Sequence, residues 1–150
     1  MSAVCSPVSV VTTCVRGQPF GTTVSAFASL SMDPPMVLVA LDNRSDLLAA
    51  VGETRTFGLN VLSHDQAHLA VAFARKGGPA KFDGVAWSPD GDVPRLLGTT
   101  GFLSCRVADV VPGGDHVVVL GTVRTADTRP GPPLTYHARA FGTHLAHPVG

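Results

Sequence analysis

The chain has 150 residues, which fits one domain with a sizeable core. Hydrophobic residues make up 45% of it and charged residues 15%, with no run of like charge, which excludes a disordered chain. Lysine plus arginine equals aspartate plus glutamate, 11 each, so there is no broad attraction to nucleic acid or to an anionic membrane; local basic spots would suit a small anionic ligand.

Aromatic residues are only 6%, so Val, Ala and Leu must fill the interior. Cys5, Cys14 and Cys105 are odd in number and lack CxxC spacing, which argues against a disulfide framework or a zinc site. All three sit in apolar stretches and are expected to be small core residues. The N-terminus lacks a secretory pattern, and no apolar run reaches transmembrane length, so a cytoplasmic protein is expected.

In chain order, Val8 to Val15 is rich in β-branched residues and predicts a strand. After a turn at Gly17 to Pro19, Phe20 to Phe27 predicts a second extended stretch, paired with the first as a hairpin. Met36 to Leu41 is a continuous apolar run, expected to be a strand buried on both faces. Ser45 is a good N-cap for a short helix with Leu47, Leu48 and Val51 as its apolar stripe and Gly52 at its end. Thr56 to Leu62 predicts a strand. Ser63 and Gln66 form the Ser-x-x-Gln pattern of a capping box, opening a helix that buries Leu69, Ala70 and Phe73 and closes at Gly77 to Pro79.

Ala80 to Gly98 reads as irregular. Gly101 to Val111 and His116 to Thr125 read as two strands joined by a tight turn at Pro112 to Asp115. The balance, about six strands against two short helices, predicts a mainly β fold: an antiparallel barrel or sandwich with a helix plugging one end.

No GxGxxG, GxxxxGK[ST] or GxSxG pattern is present, which argues against a Rossmann site, a P-loop or a nucleophile elbow. His64 and His68 have i, i+4 spacing, but Asp65 stands where a zinc protease needs Glu, so they read as surface histidines. Gly21 to Ser31 is crowded with hydroxyls and small residues. It is either a cradle for a flat ligand or a Thr/Ser-rich edge strand. Arg44, Ser45 and Asp46 at a helix start offer an anion site or plain N-capping. Arg75, Lys76 and Lys81 flank a Gly-Gly-Pro loop that could clamp a phosphate or simply be solvated. Gly114-Asp115-His116 places an acid–imidazole pair at a turn, and His116 is the histidine singled out for function.

Taken together, VSVVTT (Val8 to Thr13), GTTVSAFASLSMDPP (Gly21 to Pro35), NRS (Asn43 to Ser45), FGLNVLSHDQ (Phe57 to Gln66), KFDGVAW (Lys81 to Trp87), GDH (Gly114 to His116) and PLTYHARAFG (Pro133 to Gly142) occur in order. This ordered set resembles the flavin reductase-like family, the small reductase partners of two-component flavin-dependent monooxygenases. The resemblance implies an FMN-binding split β-barrel, a Greek-key antiparallel barrel with two or three short helices, as a single domain over residues 1–150. The family's usual N-terminal helix would be shortened, since only Met1 to Pro7 precede the first strand.

The resemblance also implies roles. Thr23, Val24, Ser25, Ala26, Phe27, Ser29 and Leu30 would cradle the flavin ring and ribityl chain. Arg44, Ser45 and Asp46, with Ala50 and Val51 just beyond, would lie near the flavin phosphate, as would Lys76. His116 would be the catalytic-side residue where nicotinamide nucleotide docks, together with Tyr136, His137 and Arg139. The implied cofactors are FMN or FAD, with NADH or NADPH as hydride donor. The implied partners are a second copy of the chain, as a homodimer, and a monooxygenase component. A flavin carrier without reductase activity is the alternative, and an oxidase acting on a pyridoxamine-phosphate-like amine is a third reading.

Overall fold

The computed structural model describes residues 2–150. Its strands are β1 (Ser6–Pro7), β2 (Ser9–Val15), β3 (Gln18–Val24), β4 (Phe27–Met32), β5 (Pro35–Asp42), β6 (Thr56–Val61), β7 (Trp87–Asp90), β8 (Val93–Leu96), β9 (Gly101–Gly113), β10 (His116–Thr128), β11 (Leu134–His137) and β12 (Ala140–Thr143). Helix α1 spans Asp46–Thr54, α2 spans Ala67–Ala74, and a 3-10 turn covers Pro79–Phe82.

The main sheet has seven strands in the order β3-β2-β6-β9-β10-β5-β4, and every pairing in it is antiparallel. Its two outermost strands, β3 and β4, are consecutive in the chain and only Ser25 and Ala26 lie between them. Three Cα steps span at most about 11 Å. The sheet must therefore curl until its edges almost meet, and β3 and β4 do not pair, so the barrel stays open along a seam. The mainly β barrel expected from the strand pattern is what forms.

The barrel interior is filled by β-branched and leucine side chains around Phe57, with Val11, Val39, Leu59 and Val119 among the most buried. Helix α1 plugs one end with Leu47, Ala50 and Val51. A second core lies where α2 and the 3-10 turn pack on the sheet, joining Val10, Leu62, Leu69, Phe73, Phe82 and Leu134. Phe73 and Phe82 meet edge to face at 4.9 Å.

Several expectations need correction. Strand β5 is not buried on both faces: Val37, Val39 and Leu41 face the core, while Met36, Leu38 and Ala40, on the opposite face by strand alternation, are only half-buried. Helix α1 runs past Gly52 to Thr54 and ends where Arg55 takes φ 60 and donates its N–H to the Val51 carbonyl at 2.8 Å. The capping box forms only by half. Gln66 Oε1 accepts the Ser63 N–H at 3.0 Å, but Ser63 is held in a bridge to Pro133 and α2 starts at Ala67. His64 therefore precedes the helix that carries His68. The segment expected to be irregular holds the 3-10 turn and the β7–β8 hairpin. Of the cysteines, only Cys105 is buried; Cys14 is half-buried and Cys5 exposed.

Candidate functional site: a bipartite cleft at the barrel seam

The seam opens into two adjoining clefts of about 440 and 210 Å³ that share Thr22, Asp42 and Ser45. The smaller is lined by Thr23, Val24, Ser25, Ala26, Ala40, Leu41 and His116. The larger is lined by Arg44, Asp46, Arg75, Lys76 and Lys81, with Phe20 and Gly21 on its wall. Small side chains thus sit at one end and cations at the other.

The turn from β5 into α1 builds the junction. Asp42 Oδ1 accepts the Arg44 N–H at 2.8 Å and the Asp42 carbonyl accepts the Ser45 N–H at 3.0 Å. The Arg44 N–H and guanidinium hold the Asp42 carboxyl below the usual carboxylate range. Ser45 occupies the N-cap position, as expected, but its side chain makes no capping bond. Its hydroxyl and the first N–H groups of α1 are therefore left for an anion, beside Arg44.

The hydroxyls of β3 are differently employed from what their density suggests. Thr23 Oγ1 donates to the Ala70 carbonyl at 2.6 Å and Thr22 Oγ1 to the Phe73 carbonyl at 3.4 Å, so both donors are spent on α2. Both threonines still line the smaller cleft, with exposed Ser25 and Ala26 beside them.

At the far side, His116 opens β10 opposite Asp42 of β5. Its Nδ1 lies 2.7 Å from Asp115 Oδ1. An ionised carboxylate can only accept, so Nδ1 carries the proton and Nε2 is left uncommitted.

The structure thus gathers Thr23, Val24, Ser25, Ala26 and His116 in one cleft and Arg44, Asp46 and Lys76 in the other, with Ser45 in both. Other expected site residues line neither. Phe27 packs on the barrel core, and Ser29 and Leu30 are exposed on edge strand β4 beside a bulge. Ala50 and Val51, 6% and 2% exposed, sit on the helix face that plugs the barrel. Tyr136, His137 and Arg139 belong to the β11–β12 hairpin in a separate sheet. Lys81, expected in a basic loop beside a phosphate, and Gly21, the start of the hydroxyl-rich stretch, also line the larger cleft; Asp42, which lines both clefts, carried no local signal in the sequence.

An open antiparallel barrel with small residues at one end of its seam and a helix start with cations at the other has the shape and charge that suit an anionic, partly flat ligand. The flavin reductase like domain family model matches residues 1–144, and the chain belongs to that family. It is 41% identical over 137 residues to the reductase component of a 4-nitrophenol 4-monooxygenase/4-nitrocatechol 2-monooxygenase of Rhodococcus opacus, covering 91% of this chain and 74% of that one. It is 38% identical over 143 residues to the FMN reductase (NADH) SmoA of Agrobacterium fabrum, covering 95% of this chain and 81% of the relative. The crystal structure of nitrilotriacetate monooxygenase component B from Mycobacterium thermoresistibile superposes with a TM-score of 0.92 at 31% identity, over 99% of this chain and 87% of that one.

Proposed function

We propose that this chain is an NAD(P)H-dependent flavin reductase that supplies reduced FMN or FAD to a flavin-dependent monooxygenase. The observation that carries this reading is the bipartite cleft: its small-residue end fits a flat ring and its cationic end fits a phosphate. The similarity to reductase components and an NADH-dependent FMN reductase supports the choice of reaction.

A bound flavin supplies the acceptor for hydride delivered by a nicotinamide nucleotide. The protein's part is placement and charge. Thr23 to Ala26 form the wall for the ring, with side chains small enough for close backbone approach. Ser45 and the first N–H groups of α1 bind the phosphate, while Arg44 and Lys76 neutralise it. His116, its ring oriented by Asp115, contacts the nicotinamide nucleotide.

The homodimer expected for this chain has a matching surface. Register places Leu38 opposite Ala28 and Leu120, and Ala40 opposite Val118, on the outer side of β4, β5 and β10. Leu38, Val118 and Leu120 are only half-buried there, so a second copy would cover an apolar stripe. Ser29, Leu30 and the β11–β12 residues Tyr136, His137 and Arg139 would then serve a cofactor across that interface or not at all. Among the described residues no helix is long and apolar enough to cross a membrane, which accords with a cytoplasmic protein.

The test is a cofactor matrix: pure protein with FMN or FAD and with NADH or NADPH, following nicotinamide oxidation. Turnover in at least one combination is expected. Tight flavin binding with no oxidation in any of the four would favour a flavin carrier instead.

A further inference from the structure

We propose that Asn43 is a positioning residue that holds the His116 turn in place against the phosphate-binding turn. This rests on the reading of His116 as the nicotinamide contact. Asn43 lines neither cleft, yet its neighbours in the chain do: Asp42 lines both and Arg44 the larger. Its backbone N–H donates to the Asp115 carbonyl at 2.9 Å, and its Nδ2 donates to the Gly114 carbonyl at 3.0 Å. The next residues, Arg44 and Ser45, are tied back to Asp42 and carry the phosphate end.

The side-chain bond matters because of where Gly114 sits. The β9–β10 hairpin closes with Gly113 paired to His116, so Gly114 and Asp115 are its two turn residues. Val110 to Asp115 are all exposed, beyond the covered part of the barrel. Packing therefore does little to hold this tip. The β5–β10 ladder reaches His116, the Asn43 N–H extends it to Asp115, and the Asn43 amide fastens the turn itself. Asp115 in turn holds the imidazole. A carboxamide is suited to this reach because it is short and carries a donor. Aspartate at 43 keeps the shape but offers only acceptors to a carbonyl.

The test compares the intact wild-type protein with N43A, N43D, H116A and the N43A/H116A double variant. FMN affinity is read by fluorescence titration, and the KM for NADH and kcat from nicotinamide oxidation. N43A and N43D should each raise the NADH KM by about five- to tenfold, as expected for loss of one hydrogen bond, and change FMN affinity by less than about twofold. In the H116A background, N43A should change the NADH KM by less than about twofold, because the two residues act as one unit. An unchanged KM in N43A and N43D would overturn the proposal. So would an equal loss of FMN affinity, or effects of N43A and H116A that simply add. If H116A alone leaves the NADH KM unchanged, the role of His116 itself is wrong, and the role of Asn43 falls with it.

Discussion

The Lys81 ammonium lies 3.1 Å from the Gly21 carbonyl and also donates to the Phe73 carbonyl at 3.1 Å. One side chain thus ties β3 to the C-terminal turn of α2, along the wall of the larger cleft. Helix α2 has no basic residue in its own last turn, so Lys81 supplies the cation that its carbonyl end favours. Burial lowers the Lys81 pKa, partly opposed by Asp46 across the cleft. Lys81→Met keeps the aliphatic stem and removes both bonds. It should destabilise the protein by about 1–3 kcal/mol, read as a lower urea midpoint at constant m-value. An unchanged midpoint would show that the two carbonyls are equally well served by water.

The phosphate end makes a separable prediction. Arg44→Ala and Lys76→Ala should each weaken FMN binding by about tenfold, the scale of one charge-assisted contact, while leaving riboflavin binding nearly unchanged. Fluorescence titration with the two flavins checks this. Equal losses for both would place the phosphate elsewhere.

How much of this was readable beforehand depended on distance along the chain. Ser45 and His116 stood out because a turn, a cap and a strand start are local patterns. The Lys81–Gly21 and Asn43–Gly114 bonds join residues 60 and 71 positions apart, and no local pattern reports them. The Thr22 and Thr23 hydroxyls looked free for a ligand because their acceptors, the α2 carbonyls, lie 51 and 47 residues on. The Ser63 capping box was right about Gln66 and wrong about where the helix begins, since the Pro133 bridge competes for Ser63. Alternating burial in β5 was hidden by an apolar run that serves two surfaces, only one of them fully buried.

Acid stability follows from the exposed ion pairs around the barrel. Arg124 bonds Asp92, and Arg95 bonds Asp127; each guanidinium holds its partner carboxyl below the ordinary aspartate value. A depressed folded-state pKa contributes stability that is present above the unfolded value, about 3.9, and is lost as pH falls through the folded value. Asp92→Asn should therefore lower stability at neutral pH slightly and flatten the acid limb. Thermal melts between about pH 2 and 6 check this around that aspartate value. A parallel shift at every pH would assign the loss to packing instead.

Gly121 leaves no room for a side chain. A Cβ there would stand 2.5 Å from Phe57 Cζ and 3.1 Å from Cys105 Cβ. Gly121→Ala should cost about 1–3 kcal/mol by overpacking, visible as a lower melting temperature. Adding Phe57→Leu should recover part of that loss, because the ring is the obstruction. No recovery would mean that the backbone of β10, and not the ring, bears the strain.

The most direct test of the central claim is an anaerobic stopped-flow measurement. Wild-type protein with bound flavin is mixed with NADH or NADPH, and the visible absorbance of the oxidised flavin is followed. The account predicts a rapid, protein-dependent bleaching with at least one of the two donors, slowed in the His116→Ala variant at subsaturating donor. A flavin that stays oxidised with both donors, or bleaches no faster than free flavin, would contradict it.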